Sequence, residues 1–241
     1  MPVTKASSIP GQEFWCLASA SASPGPQPSW SIDATMTRPE PKPLQIVLHG
    51  HSVRLREAKV ADASFIVALR RDPLLSDFIH PTSSSVAAQE SWLLTYASRP
   101  DDYYFICEDS DGKSWGTVRI PSVHASEFEI GSWVFLPDAP VGASIQAILL
   151  AYRFGFERLG YDVAVFDVRR GNERVWRFHE ACGARRNRQD AENFYYSLDR
   201  AAFSRAWVRY SSIVACPDPV DWLQEVHRAE RVQTHRTSQD H

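Results

Sequence analysis

The first stretch with chemical potential is APVGAS, residues 139–144, where a strand-like segment ends and a helical pattern begins. The first turn of a helix leaves backbone N–H groups without partners and carries the positive end of the helix dipole. A small residue such as Gly142 lets an anion approach those donors closely. The stretch therefore predicts a phosphate-binding loop, with an ordinary helix start as the alternative.

A second stretch, DVRRGNERVWRFHEACGARR at residues 167–186, predicts a short helix. Asn172 is a good N-cap residue and Gly183 a good C-cap residue, so both ends are marked. The helix and the residues on either side of it are rich in cations that either bind phosphates or an anionic substrate, or lie on a solvated face. These cations are Arg169, Arg170, Arg174, Arg177, Arg185, Arg186 and Arg188.

Composition excludes several classes of protein. The 241 residues are 44% apolar, enough for one domain with a substantial core, and the net charge of -3 gives no general attraction to nucleic acid or anionic membranes. No apolar run approaches the ~18 residues of a membrane span, and the N-terminus lacks the apolar core of a signal peptide. Four widely spaced cysteines favour reduced thiols over disulfides or zinc. We expect a cytoplasmic protein without a metal site.

Three regions follow from local composition. Residues 1–45 are rich in Ser, Pro, Gly and Ala, which predicts a disordered or loosely attached extension. Residues 46–226 carry the periodic segments of one domain with a C-terminal extension, and residues 227–241 form a polar tail. Met36 offers an alternative start of translation, which would remove most of the first region.

The domain alternates strands and helices in the order β-α-α-β-β-β-α-β-α-β, which predicts an α/β fold with a mixed central sheet. Asp62 is expected to cap the first helix, and Gly160 to end the third, over about 143–159. Asp111-Gly112 supplies the turn of a hairpin. The strand over 127–136 is interrupted at Gly131, where a bulge or a separation of strands is expected.

This order of elements resembles the GCN5-related N-acetyltransferases (GNAT) over residues 52–205. The family's fourth helix commonly reads N-x-x-A-x-x-x-Y-E-K-x-G-F, and Asn172, His179, Glu180 and Gly183 fall at the matching spacing. The family's pyrophosphate loop reads Q/R-x-x-G-x-G/A, of which only Gly142 is matched here, since residues 139 and 144 are Ala and Ser.

The resemblance implies that acetyl-CoA is the co-substrate. It implies that backbone N–H groups of the loop hold the pyrophosphate and that Asn172 faces the pantetheine arm. The residues expected to contact acetyl-CoA on this basis are Val134, Phe135, Val141, Gly142, Ala143, Ser144 and Asn172.

Acyl transfer to an amine needs a neutral amine and a proton for the departing thiolate. Glu127 and Glu129 alternate along one strand and share a face. Glu129 matches a glutamate in the EIGYW pattern of a family branch and is the candidate base, through water, unless it only pairs with a basic neighbour. His179 replaces the family's usual Tyr acid and can donate a proton near neutral pH, unless it is a packed histidine. Cys182 is expected to be a small core residue.

The acceptor is expected to be the primary amine of a small molecule. The segments LRRDP and QESWLL resemble the branch that acetylates amino-sugar nucleotides, although Gln89 stands where those enzymes usually carry His. The alternatives are a protein N-terminal acetyltransferase and a catalytically silent binding module of the same fold. The oligomeric state is left open, with a homodimer as one option.

Overall fold

Strands predicted from alternating apolar residues are present in the computed structural model, which describes residues 46–79, 83–99, 101–124 and 126–214. The predicted N-terminal extension, the polar tail and the last part of the predicted domain, residues 215–226, lie outside these ranges. In order, the described elements are β1 (Val47–His49), β2 (Arg54–Glu57), α1 (Ala63–Arg70), α2 (Val86–Tyr96), β3 (Asp102–Glu108), β4 (Ser114–His124), β5 (Glu127–Glu129), β6 (Gly131–Phe135), α3 (Ala143–Arg153), β7 (Val163–Arg169), α4 (Glu173–Ala181), β8 (Arg185–Gln189), β9 (Asn193–Asp199) and α5 (Arg200–Val214).

The strands form one mixed sheet in the order β1-β2-β3-β4-β5-β7-β9-β8. Strands β5 and β7 pair in parallel, and the other described pairs are antiparallel. Strand β6 stands off this path, because it pairs with β4 alone. The mixed α/β architecture predicted from the sequence is therefore confirmed.

Each face of the sheet carries its own apolar core, since successive side chains of a strand point to opposite faces. On β3, Phe105 belongs to the larger core, which includes buried residues of α3 and α5, and α4 packs against it. The neighbouring Tyr104 and Ile106 belong to the smaller core beneath α1 and α2. We call these the α3 face and the α1 face.

Several expectations about single elements are corrected. Strands β1 and β8 and helix α5 were not predicted: β1 has only three residues, and β8 reads RRNRQ with every side chain exposed, so it lacks an apolar period. Charged side chains suit β8 because it is an edge strand that must not pair with other chains. Asp62 precedes α1 but does not cap it, because its carboxylate binds the Arg56 guanidinium and the Lys59 N–H.

The third helix ends differently from the simple pattern. After α3, residues Phe154–Arg158 form a wider π-helical turn. Gly155 is required there, because an added Cβ would lie 2.3 Å from the ring of Phe128 on β5. Gly160 follows with φ +81°, as its predicted role in ending the helix requires.

Candidate active site

The central feature of the site is a split in the sheet between β6 and β7. Strand β5 pairs with β7 up to Ile130, whose N–H donates to the Val165 carbonyl at 3.0 Å. One residue later the chain turns away, and β6 pairs only with β4. Ser132 has φ +48°, a strained value for a non-glycine residue. The interruption expected at Gly131 is thus a real separation of two strands.

The first turn of α3 lies on one side of this split. Gly142 is its N-terminal flanking residue, has φ +85°, and provides no side-chain cap. A Cβ added to Gly142 would lie at ordinary contact distance, 3.8 Å from Ile213 and 3.9 Å from Gln146. Val141 is fully exposed. These features suit a loop whose backbone N–H groups bind an anion.

Strand β6 is fastened to this turn by Trp133, whose indole Nε1 donates to the Ser144 carbonyl at 3.1 Å. The Leu136 N–H donates to the Trp115 carbonyl on β4. Because antiparallel pairing alternates, the N–H and C=O of Phe135 then point away from β4, into the split. The Val134 side chain is 9% exposed, so this part of β6 offers backbone rather than side chain to a ligand in the split.

Asn172 borders the opposite side of the split, at the start of α4. It occupies the N-cap position, but its side chain makes no capping hydrogen bond, so the predicted capping role is not filled. The preceding Gly171 lies against the chain between α1 and α2, since an added Cβ would lie 3.4 Å from the ring of Phe78. The chain that connects α1 and α2 therefore extends to the turn between β7 and α4. Gly183 has φ +94° and closes α4 as expected.

Glu129 ends β5, immediately before the split. Its neighbour Phe128 is buried in the core of the α3 face, so Glu129 points to the α1 face. A Cβ on Gly131 would lie 3.4 Å from Glu129 Oε1, which places the carboxylate beside the first residue of β6. The carboxylate is half-buried and lies at the point where the strands separate.

Two arginines on the α1 face were not singled out from the sequence. Arg119 of β4 binds the buried Asp102 carboxylate through Nε at 2.8 Å and a terminal nitrogen at 2.5 Å. Burial alone would lower the pKa of Arg119, but the bonds to Asp102 and the charge of Glu129 outweigh it and raise that pKa. Arg70 of α1 donates to Ser132 Oγ at 3.3 Å. Arg119 lies in no motif, and Arg70 lies in the LRRDP segment without an assigned role, so only the fold shows that both border the split.

His179 of α4 lies on the α3 face and is 2% exposed. Its ring packs against Phe166 of β7 and Trp133 of β6, with centroid separations of 4.3 Å and 5.3 Å. Its Nδ1 lies 3.0 Å from Tyr152 Oη. Burial lowers the pKa of His179 to about 3. A neutral imidazole favours the alternative of a packed histidine, and proton donation by His179 stays a prediction.

Most arginines of the second stretch are engaged locally. Arg169 pairs with Glu192, Arg177 with Glu173 at 2.5 Å, and Arg186 with Glu180 at 2.8 Å. These pairs favour the solvated-face interpretation over phosphate binding. Burial raises the pKa of Cys182 to about 12, so its thiol is protonated, in line with a core residue.

No helix in the described ranges has the length and hydrophobicity to cross a bilayer. In the same ranges, no three His, Cys, Asp or Glu side chains are grouped to hold a metal ion.

Comparison with known proteins identifies the family. A family model described as an acetyltransferase (GNAT) domain matches residues 52–185, more than half of the chain. The chain therefore belongs to the GNAT acetyltransferases, as its motifs suggested, and is an acyltransferase. The comparison with curated proteins finds no significant match.

Solved structures agree with this assignment. Apo FdhC, described as a nucleotide-linked sugar GNAT, is 30% identical with a TM-score of 0.65, and the match covers 71% of this chain and 99% of that one. A GCN5-related N-acetyltransferase from Brucella melitensis is 19% identical, with a TM-score of 0.58 and coverage of 71% and 86%. Spermidine N-acetyltransferase from Vibrio cholerae, in complex with CoA and spermine, is 14% identical, with a TM-score of 0.58 and coverage of 64% and 98%. The last two show the shared fold alone.

Proposed function

We propose that this protein transfers the acetyl group of acetyl-CoA to the primary amine of a small cytoplasmic molecule. The observation that carries the proposal is the split between β6 and β7. Glu129 borders the split on the α1 face, and the uncapped first turn of α3 adjoins β6 beside it. Such a passage lets a thioester and an amine approach each other from opposite faces of one sheet.

The residues present fit acetyl-CoA. The Ala143 N–H donates to the Pro140 carbonyl at 3.0 Å, and the other first-turn N–H donors, which no side chain caps, suit its diphosphate. The backbone of Phe135 offers a donor and an acceptor to the amide groups of the pantetheine arm, and the Asn172 side chain is not used as a helix cap. Val141, Ala143 and Ser144 supply backbone rather than side-chain contacts in this arrangement. Acetyl-CoA itself supplies the activated thioester.

Glu129 is assigned the removal of a proton from the acceptor amine, through a water molecule. Only the neutral amine is nucleophilic, and a carboxylate at the start of the split is placed to accept the proton. The charge of Glu129 is among the causes that raise the pKa of the Arg119 guanidinium, so the two groups lie close enough to attract each other. Pairing with Arg119 is also the structural role that would compete with catalysis, and mutation separates the two roles.

The acceptor class we favour is an amino sugar linked to a nucleotide. FdhC, which is described as acting in nucleotide-linked sugar chemistry, has 30% identity over nearly its whole length. An acceptor of this class carries a diphosphate, and the α1 face presents the Arg70 and Arg119 guanidinium groups beside the split. Arg119 already binds the Asp102 carboxylate with two nitrogens, so it offers the diphosphate its positive charge and its remaining terminal nitrogen.

The test is a screen of acceptors with the full chain and acetyl-CoA, read as released thiol. The panel holds nucleotide-linked amino sugars, the matching free amino sugars, polyamines and peptides with free N-termini. Turnover confined to nucleotide-linked amino sugars supports the proposal, whereas turnover of peptides supports N-terminal acetylation. Acetyl-CoA binding without any turnover would indicate the silent binding module, and absence of binding would refute the acetyl-CoA assignment.

A further inference from the structure

A buried hydrogen bond joins the helices on the α3 face of the split. Tyr152 of α3 and His179 of α4 are each almost completely buried, and Tyr152 Oη lies 3.0 Å from His179 Nδ1. The two rings meet nearly at right angles, with an interplanar angle of 87°. Nδ1 of His179 is therefore used in a hydrogen bond to α3.

The other nitrogen, Nε2, takes no part in the bond to Tyr152. The ring is flanked by Trp133 of β6 and Phe166 of β7, the two strands that separate at the split. An imidazole held between these two side chains lies beside the gap between the strands.

The direction of the hydrogen bond follows from counting donors. Burial raises the pKa of Tyr152 well above its ordinary value, so the phenol keeps its proton. Within the part of the chain that the structure describes, His179 is the hydrogen-bond partner of Tyr152 Oη. If Oη accepted from Nδ1, its own proton would be buried without an acceptor, which costs free energy. Tyr152 therefore donates to Nδ1, and the neutral imidazole carries its proton on Nε2.

We propose that Tyr152 is a positioning residue, which holds His179 in the Nε2–H form so that this N–H donates a hydrogen bond to the thioester sulfur in the split. The proposal rests on the proposed function. The Nε2 proton is shared and not transferred, so His179 stays neutral throughout and the released thiolate takes its proton from water. The interaction stabilises negative charge that develops on sulfur as the acetyl group leaves.

The hydrogen bond is tested first without any activity measurement. In protein with ¹⁵N-labelled histidine, two-bond ¹H–¹⁵N spectra distinguish the two neutral tautomers, and the His179 signals are those lost in His179→Gln. We expect the parent to show the Nε2–H form, and Tyr152→Phe to lower the ratio of Nε2–H to Nδ1–H about tenfold, the worth of one neutral hydrogen bond. A parent in the Nδ1–H form, or an unchanged ratio in Tyr152→Phe, overturns the proposal.

Kinetics then test what the hydrogen bond does. Tyr152→Phe is expected to lower kcat about tenfold with little change in KM for acetyl-CoA, because the bond to sulfur strengthens only as the reaction proceeds. Tyr196→Phe is the matched control, since Tyr196 is equally buried, stacks on Phe166 and donates to Glu180 without touching His179. An active parent with unchanged kcat in Tyr152→Phe overturns the positioning role. An inactive parent with the expected tautomer refutes the proposed function instead.

Discussion

The two faces of the split differ in charge: one holds charged side chains and the other neutral ones. On the α1 face, Arg119 is buried, but its hydrogen bonds to Asp102 and the charge of Glu129 raise the pKa of its guanidinium. On the α3 face, His179 and Tyr152 lie among aromatic rings, and burial keeps both neutral. A group that accepts a proton belongs in the first environment, whereas a group that only donates a hydrogen bond belongs in the second. The same split thus offers two different kinds of chemistry.

The largest effect is expected from breaking the charged network. Arg119→Met leaves the Asp102 carboxylate, which is 6% exposed, without its two closest hydrogen bonds. Loss of one partner of a buried pair costs about 3 kcal/mol of unfolding free energy. Urea denaturation measures this loss. The double variant Arg119→Met with Asp102→Asn removes the buried charge and is expected to recover part of it; no recovery would contradict the assignment of the loss to that charge.

The second effect concerns turnover. Glu129→Gln keeps the shape of the side chain but cannot accept a proton, so kcat is expected to fall about 10²-fold with unchanged affinity for acetyl-CoA. Glu127→Gln is the control, because Glu127 lies on the same face of β5 but two residue pairs further from the split. Steady-state kinetics and calorimetry measure the two quantities. Equal losses of kcat in both variants would show that another group is the base.

The sequence predicted the ends of helices and the loops more accurately than it predicted the burial of side chains. A glycine predicts a backbone with positive φ by its residue type alone. Such φ values are found at Gly142, Gly160 and Gly183. The burial of His179 depends on Trp133 and Phe166, which are distant in sequence, so no local pattern reports the shift of its pKa. Strand β8 was not predicted for a related reason, because an exposed edge strand has no apolar period.

The third effect is a pH dependence of stability. The pKa of His179 is 6.5 ordinarily and about 3 in the folded protein, so the unfolded chain binds more protons between these values. The contribution of His179 to the unfolding free energy is complete above pH 6.5 and is lost as pH falls toward 3. From about pH 7.5 to about pH 5, His179 alone is expected to reduce the unfolding free energy by about 2 kcal/mol. The difference in stability between the parent and His179→Phe measures it; a difference independent of pH would show that His179 is not buried neutral.

The smallest effect concerns the phosphate loop. Gly142→Val adds a branched side chain beside the first turn of α3 and is expected to weaken acetyl-CoA binding about tenfold, because the diphosphate can no longer approach the N–H donors. Gly160→Val is the matched control, since Gly160 has nearly the same φ, +81° against +85°, and nothing within 4 Å of an added Cβ. Equal affinities in the two variants would contradict the loop assignment.

The most direct measurement is a crystal structure of the full chain with bound CoA. Our account predicts the diphosphate at the N–H groups that begin α3 at Gly142, the pantetheine arm along the unpaired edge of β6, and the sulfur within hydrogen-bonding distance of His179 Nε2. CoA bound elsewhere, or a sheet in which β6 pairs with β7 and closes the split, would contradict it.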